Sequence, residues 1–176
     1  MEFLLVIFEY YNIILKKRKI APFLILILSI GIGFCVYFNT KRNIYSVKAE
    51  IFHSNILNVL GILLGFSIST LAILLSVEND KMKAAKKELL KDKNGNEIKL
   101  YKKKISLFES VSMELVHVII LQGLLLISNF VYPHFVDVVS NTGLMIYSIN
   151  IFLMIYCMLL LINNILSLYF ILTKKE

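Results

Sequence analysis

Four stretches of this chain are long, apolar and almost free of charge, and they leave few folds open. Ile20–Phe38 has 19 residues without a charged side chain, Ile51–Val77 has 27, Ser110–Tyr132 has one acidic residue, and Gly143–Leu172 has 30. About 20 apolar residues suffice for a helix to cross a bilayer. The mean hydropathy of +0.76 and 58% hydrophobic content exceed what a water-soluble domain shows. The expected fold is an all-α membrane protein with four transmembrane helices, an N-terminal interfacial helix and a small cytoplasmic helix-hairpin element. Residues 1–19 form the interfacial helix and basic anchor, 20–77 transmembrane helices 1 and 2, 78–109 a Lys-rich cytoplasmic element, and 110–176 transmembrane helices 3 and 4 with a short tail.

Lys and Arg set the orientation, because cytoplasmic flanks accumulate positive charge and acidic residues count for little. With the N-terminus inside, the basic cluster Lys16, Lys17, Arg18 and Lys19, the ten lysines from Lys81 to Lys104, and Lys174 and Lys175 are cytoplasmic. Only Lys41, Arg42 and Lys48 of the 19 basic residues fall outside. Both termini are therefore expected in the cytoplasm, with the chain crossing its membrane several times. The long fourth stretch is expected to tilt or to run past the headgroups.

The first fifteen residues are apolar, but their apolar run precedes the basic cluster, the reverse of a secretory signal. Glu2, Glu9 and Asn12 share one helical face while Phe3, Leu4, Val6, Ile7, Phe8, Ile13 and Ile14 cover most of the rest. That pattern predicts a helix lying on the inner leaflet.

Cys35 and Cys157 fall inside spans, where no metal-ligand spacing surrounds them, and read as buried thiols. Asp92–Glu97 has a flavour of a calcium loop, but its glycine stands fourth where that loop needs it sixth, so the segment reads as a turn. Asn94-Gly95 signals a type I′ hairpin with flanks Leu89–Lys93 and Asn96–Tyr101. Glu78–Leu90 is rich in helix formers and is expected to extend the second span, and Tyr101–Phe108 to begin the third helix. No cofactor, metal or catalytic motif is visible, and an enzyme is not expected.

Within the second span Ser54, Asn58, Gly61, Gly65, Ser69, Ala72 and Ser76 recur at spacings of three and four, one stripe of a 3.6-residue helix. The stripe either packs closely on another helix, as small-xxx-small motifs do, or lines a wet pathway in an oligomer. Ser67 and Thr70 lie off it. In the third span Glu114 and His117 share a face with Ser110, and ionisable groups at membrane depth are candidates for gating or pH response. A mutual Glu–His hydrogen bond is the plainer alternative. Asn150, Cys157 and Asn164, spaced by seven, and Asn163 suggest interhelical hydrogen bonds in the fourth span.

The Lys-rich element holds ten lysines against five acidic residues from Glu78 to Glu97. Topology and anionic-lipid attraction explain part of it. The rest suggests an anionic ligand, with Lys86, Lys87, Lys99, Lys102 and Lys103 as phosphate contacts and Tyr101, with Phe108, as a base-stacking surface, or an acidic partner protein.

A short four-span chain, a basic cytoplasmic hairpin and the run Gly61-Ile62-Leu63-Leu64-Gly65-Phe66-Ser67-Ile68-Ser69-Thr70-Leu71-Ala72-Ile73-Leu74-Leu75-Ser76 resemble membrane components of bacterial anti-phage defence systems. The chain looks most like the channel effector of Hailong-type systems and next like the membrane sensor of Kiwa-type systems, which works with a DNA-binding partner. The first resemblance implies a homotetrameric channel held closed by a nucleotide-derived oligomer that a partner nucleotidyltransferase makes. No motif carries residue roles across. The expected function is therefore an oligomeric channel or membrane-disrupting effector gated by an anionic nucleotide or oligonucleotide. The competing class is a non-conducting sensor or scaffold that recruits a soluble defence partner. A small secondary transporter is disfavoured, since the chain shows no internal repeat.

Overall fold

The computed structural model describes residues 8, 10–13, 15, 21–39, 42–78, 80–92, 94–100, 103–136 and 140–173. Its helices are α1 (Ala21–Asn39), α2 (Arg42–Ser76), α3 (Asp80–Lys87), α4 (Leu107–Val131), continued by a 3₁₀ turn (Tyr132–His134), and α5 (Asn141–Thr173). Three segments are long and apolar enough to cross a membrane, Asn55–Ser76, Leu107–His134 and Asn141–Thr173, while Pro22–Phe38 is a shorter apolar helix. At ~1.5 Å per residue α2 is about 52 Å long, so its first third runs beyond the apolar window Asn55–Ser76 as helix.

The helices pack side by side in the order α1, α5, α4, α2. Leu74, Met82, Val111, Leu115, Val118, Tyr156, Leu160 and Leu161 form the main core, and Ile56, Leu60 and Leu125 a second cluster between α2 and α4. Outside, Ile27, Phe34, Ile62, Phe66, Ile127, Phe130, Ile162 and Phe170 are each more than half exposed. So broad an apolar surface suits lipid and not water. Cys157 is buried in this bundle, whereas Cys35, expected to be buried, lies exposed on α1.

Close packing of α1 on α5 depends on Gly33. A Cβ there would stand 2.9 Å from the Phe152 Cβ and 3.4 Å from the Ser148 carbonyl oxygen, whereas Gly31 has nothing within 4 Å. Gly33→Ala is expected to cost about 1–3 kcal/mol by forcing the helices apart, and Gly31→Ala to be neutral or slightly stabilising. Thermal unfolding in detergent checks the pair.

The α2–α4 connection differs from its sequence reading in three places. Helix α2 stops at Ser76 and α3 starts afresh at Asp80, so the second span does not simply continue. The turn at Asn94-Gly95 is not type I′: the Gly95 N–H donates to the Asp92 carbonyl oxygen (3.1 Å), and the Asp92 N–H to the Asn96 carbonyl oxygen (2.9 Å). These bonds frame a three-residue loop in which Gly95 takes φ +83°, the left-handed residue such loops need. Asp92 Oδ1 accepts from the N–H groups of Asn94 (2.8 Å) and Asn96 (2.9 Å), which fixes the turn.

Residues 103–106 do not begin the third helix either, which starts only at Leu107. Strands β1 (Lys99–Leu100) and β2 (Lys103–Lys104) pair antiparallel, with further bridges Lys91↔Glu97 and Leu89↔Ser106. Three buried residues close this small meander into a ring: the Leu90 N–H donates to Ile105 (2.8 Å), the Ile105 N–H to Ile98 (3.2 Å), and the Ile98 N–H to Leu90 (2.8 Å). Helix α4 starts at Leu107 because Ser106 and Glu109 form a capping box, each side chain accepting the other's backbone N–H (3.1 and 2.8 Å).

Candidate functional site

The α2 stripe faces away from its own bundle. Among the side chains of α2 that are described, Ile56, Leu60, Ser67 and Leu74 are the buried ones, and at ~100° per residue they fall within about 40° of one another. Asn58, Gly61, Gly65, Ser69, Ala72 and Ser76 lie about 140° to 220° round from Ile56, on the opposite side, and all are exposed. Nothing lies within 4 Å of a Cβ built on Gly61 or Gly65. The described helices of the chain thus leave the stripe open. Ser54 lies in α2 with its side chain outside the described residues. Ser69 and Thr70 donate their hydroxyls to their own helix, to the Gly65 (2.9 Å) and Phe66 (2.8 Å) carbonyl oxygens, and Ser76 to Ile73 (3.2 Å). These side chains thus satisfy themselves without water.

The polar residue that does face inward is Ser67, which sequence reading set aside as an exception. Its hydroxyl is fully buried and lies 2.9 Å from Gln122 Oε1. Seven residues on, Asn129 Oδ1 accepts from the Asn150 amide at 2.8 Å, in the buried interior between α4 and α5. Asn150 thus makes the interhelical bond expected of it, while Asn164 is buried with neither amide atom hydrogen-bonded to a described residue, and Asn163 is only half-buried. Gln122 and Asn129 were legible as polar residues seven apart in an apolar span. Asn150→Leu strands Asn129, and with ~0.6 kcal/mol typical of such bonds the melting temperature should fall, with partial recovery in Asn129→Leu/Asn150→Leu.

Glu114 and His117 are both buried, 3% and 0% exposed, but no hydrogen bond joins them. Neither ring nitrogen of His117 has a hydrogen-bond partner among the described residues. Its ring is instead enclosed by the N-terminal segment: Tyr10 stacks on it (centroids 4.1 Å, 21° between planes) and Tyr11 meets it edge-on at 5.4 Å. The Tyr11 and Tyr156 hydroxyls are 3.2 Å apart, and Glu114 is within electrostatic reach of Tyr10. Ile13, assigned by sequence to a lipid-facing side, is buried against Leu90, Ile98 and Ile105. Phe8, Asn12 and Leu15 are exposed, and Glu2, Glu9 and the other apolar residues of that expectation lie outside the described residues.

The basic element shares its lysines out. Lys86 lies over the half-buried Phe108 ring, 5.1 Å from its centroid. Lys103 Nζ donates to Glu109 Oε1 (2.7 Å), Lys104 pairs with Glu97 (2.6 Å), and Lys81 donates to the Leu172 carbonyl oxygen near the end of α5 (2.7 Å). Lys87 is exposed beside a cleft of about 480 Å³ that also contains Glu88 and Glu97. Tyr101 and Lys102 lie outside the described residues. Because residues alternate across the ring, Lys91, Glu97, Lys99 and Lys104 share its outer face while Leu90, Ile98 and Ile105 point inward. The hydrogen bond from Lys104 holds the Glu97 carboxyl below its usual range, with Lys99 and Lys91 adding to the effect. A depressed carboxyl contributes to folding above its unfolded value and loses that contribution as pH falls through the folded one, so this pair persists at neutral pH.

No family model, curated protein or solved structure matches the chain.

Proposed function

We propose that the protein is an oligomeric membrane effector, a regulated channel or membrane-disrupting protein of a bacterial inner membrane, assembled through the small-residue face of α2. The observation that carries this reading is the outward direction of that face. Lipid-exposed helix surfaces are made of large apolar side chains, whereas Gly, Ala and Ser let two backbones approach. Copies meeting through α2 bury the stripe and leave the remaining apolar belt to lipid. α1, about 28 Å long at ~1.5 Å per residue and packed along α5, serves as the fourth span. A tetramer closes the assembly around an axis, and the lysine face of the meander takes an anionic nucleotide or oligonucleotide there. Its place in anti-phage defence rests on the resemblance in the second span and the basic connection.

The second reading, a non-conducting sensor or scaffold, is favoured by the back-bonded hydroxyls of Ser69 and Ser76, which suit a dry interface. Cysteine substitutions separate the two. In a background lacking Cys35 and Cys157, Ser69→Cys should be modified by a water-soluble thiol reagent in the conducting state and Leu71→Cys should not. No modification of Ser69→Cys in any state assigns the stripe to dry packing.

A further inference from the structure

We propose that the N-terminal segment is a strap that couples the basic meander to His117 inside the bundle, docked at both ends and released as a unit. One end is Ile13, buried on the hydrogen-bonded ring of Leu90, Ile98 and Ile105. The other is Tyr10, stacked on His117 at 4.1 Å. They stand three positions apart on one helical turn, so a shift at one end is carried rigidly to the other. Packed elements of this kind hold discrete arrangements and do not deform continuously.

The docked state carries a cost that keeps release within reach. His117 is wholly buried, and neither ring nitrogen has a hydrogen-bond partner among the described residues. Burial of unmatched polar atoms is unfavourable, and withdrawal of Tyr10 would let the imidazole meet water. Any ligand that reorders the meander therefore shifts the Tyr10–His117 contact, and by linkage a change at His117 alters the seat of Ile13. As a route of control the strap rests on the channel reading, but its coupling can be tested apart from it.

The chain has no tryptophan, so Tyr10→Trp places a single indole at the latch. In full-length protein in liposomes, iodide should quench it weakly. Adding Ile13→Asp, or the milder Ile13→Ala if the first fails to fold, should raise the quenching constant several-fold. In the reverse direction, His117→Ala should speed thiol labelling of Ile13→Cys in a background without Cys35 and Cys157. If the indole stays equally protected in both Ile13 variants, or labelling of Ile13→Cys is indifferent to His117→Ala, the ends are independent and the strap is refuted. Ion flux from the same liposomes is scored separately: a quenching change without flux upholds the coupling and counts against the channel.

Discussion

Gly65→Leu is expected to break the assembly into smaller species while each chain keeps its fold. Within one chain a side chain at Gly65 enters open space, and Leu is the better helix former by up to about 1 kcal/mol, so thermal stability of the monomer should hold or rise. In the proposed assembly the same side chain would wedge apart the closest point of contact between chains. A packing loss of about 1–3 kcal/mol per interface weakens association roughly ten- to a hundredfold, and every interface of a ring carries it. Mass measurement of the detergent-solubilised protein reads the result. An unchanged oligomer with Gly65→Leu, or a monomeric wild type, rejects assembly through α2.

The second large effect is expected at the meander. Lys102 and Lys103 were natural sequence choices for charge reversal, but Lys103 pairs with Glu109 beside the start of α4, so its reversal also disturbs the fold. Lys91→Glu/Lys99→Glu acts on the outer strand face instead. A lysine near an anionic partner is worth about 1 kcal/mol and its reversal about twice that, so the pair should cost about 4 kcal/mol, close to a thousandfold in affinity for a single-stranded oligonucleotide. Loss of two phosphate contacts should also flatten the salt dependence by about 1.4 in slope. Unchanged binding in the double variant moves the ligand away from this face, and no oligonucleotide binding by the wild type leaves docking of an acidic protein as the role of the lysines.

Long apolar helices were legible because hydropathy over about 20 residues leaves no rival structure. The stripe on α2 was legible as a stripe, since period 3.6 is a property of the sequence alone, but its direction was not. Which face turns inward depends on where α4 presents Gln122 and Leu125: Ser67 meets the first, Ile56 and Leu60 the second, and Gly65 neither. The meander was half legible: Gly95 marks its turn, but the ring of Leu90, Ile98 and Ile105 joins three short segments whose alternation spans only a few residues each. Ser106 and Glu109 carried a readable helix-start signal that the run of lysines before it obscured. The N-terminal segment misled because amphipathic sequence does not distinguish a lipid surface from a protein groove, and only the docking of Tyr10 and Ile13 does.

The most direct measurement of the central claim is disulfide crosslinking between copies along α2, in liposomes and in a background without Cys35 and Cys157. Cysteines placed singly at Gly61, Gly65, Ser69 and Ala72 should each give crosslinked dimers under mild oxidation, while cysteine at Leu60 or Leu74, buried within the chain, should give none. That periodic pattern places α2 against α2 through its small face. Crosslinking that ignores the period, or fails at all four positions, contradicts it.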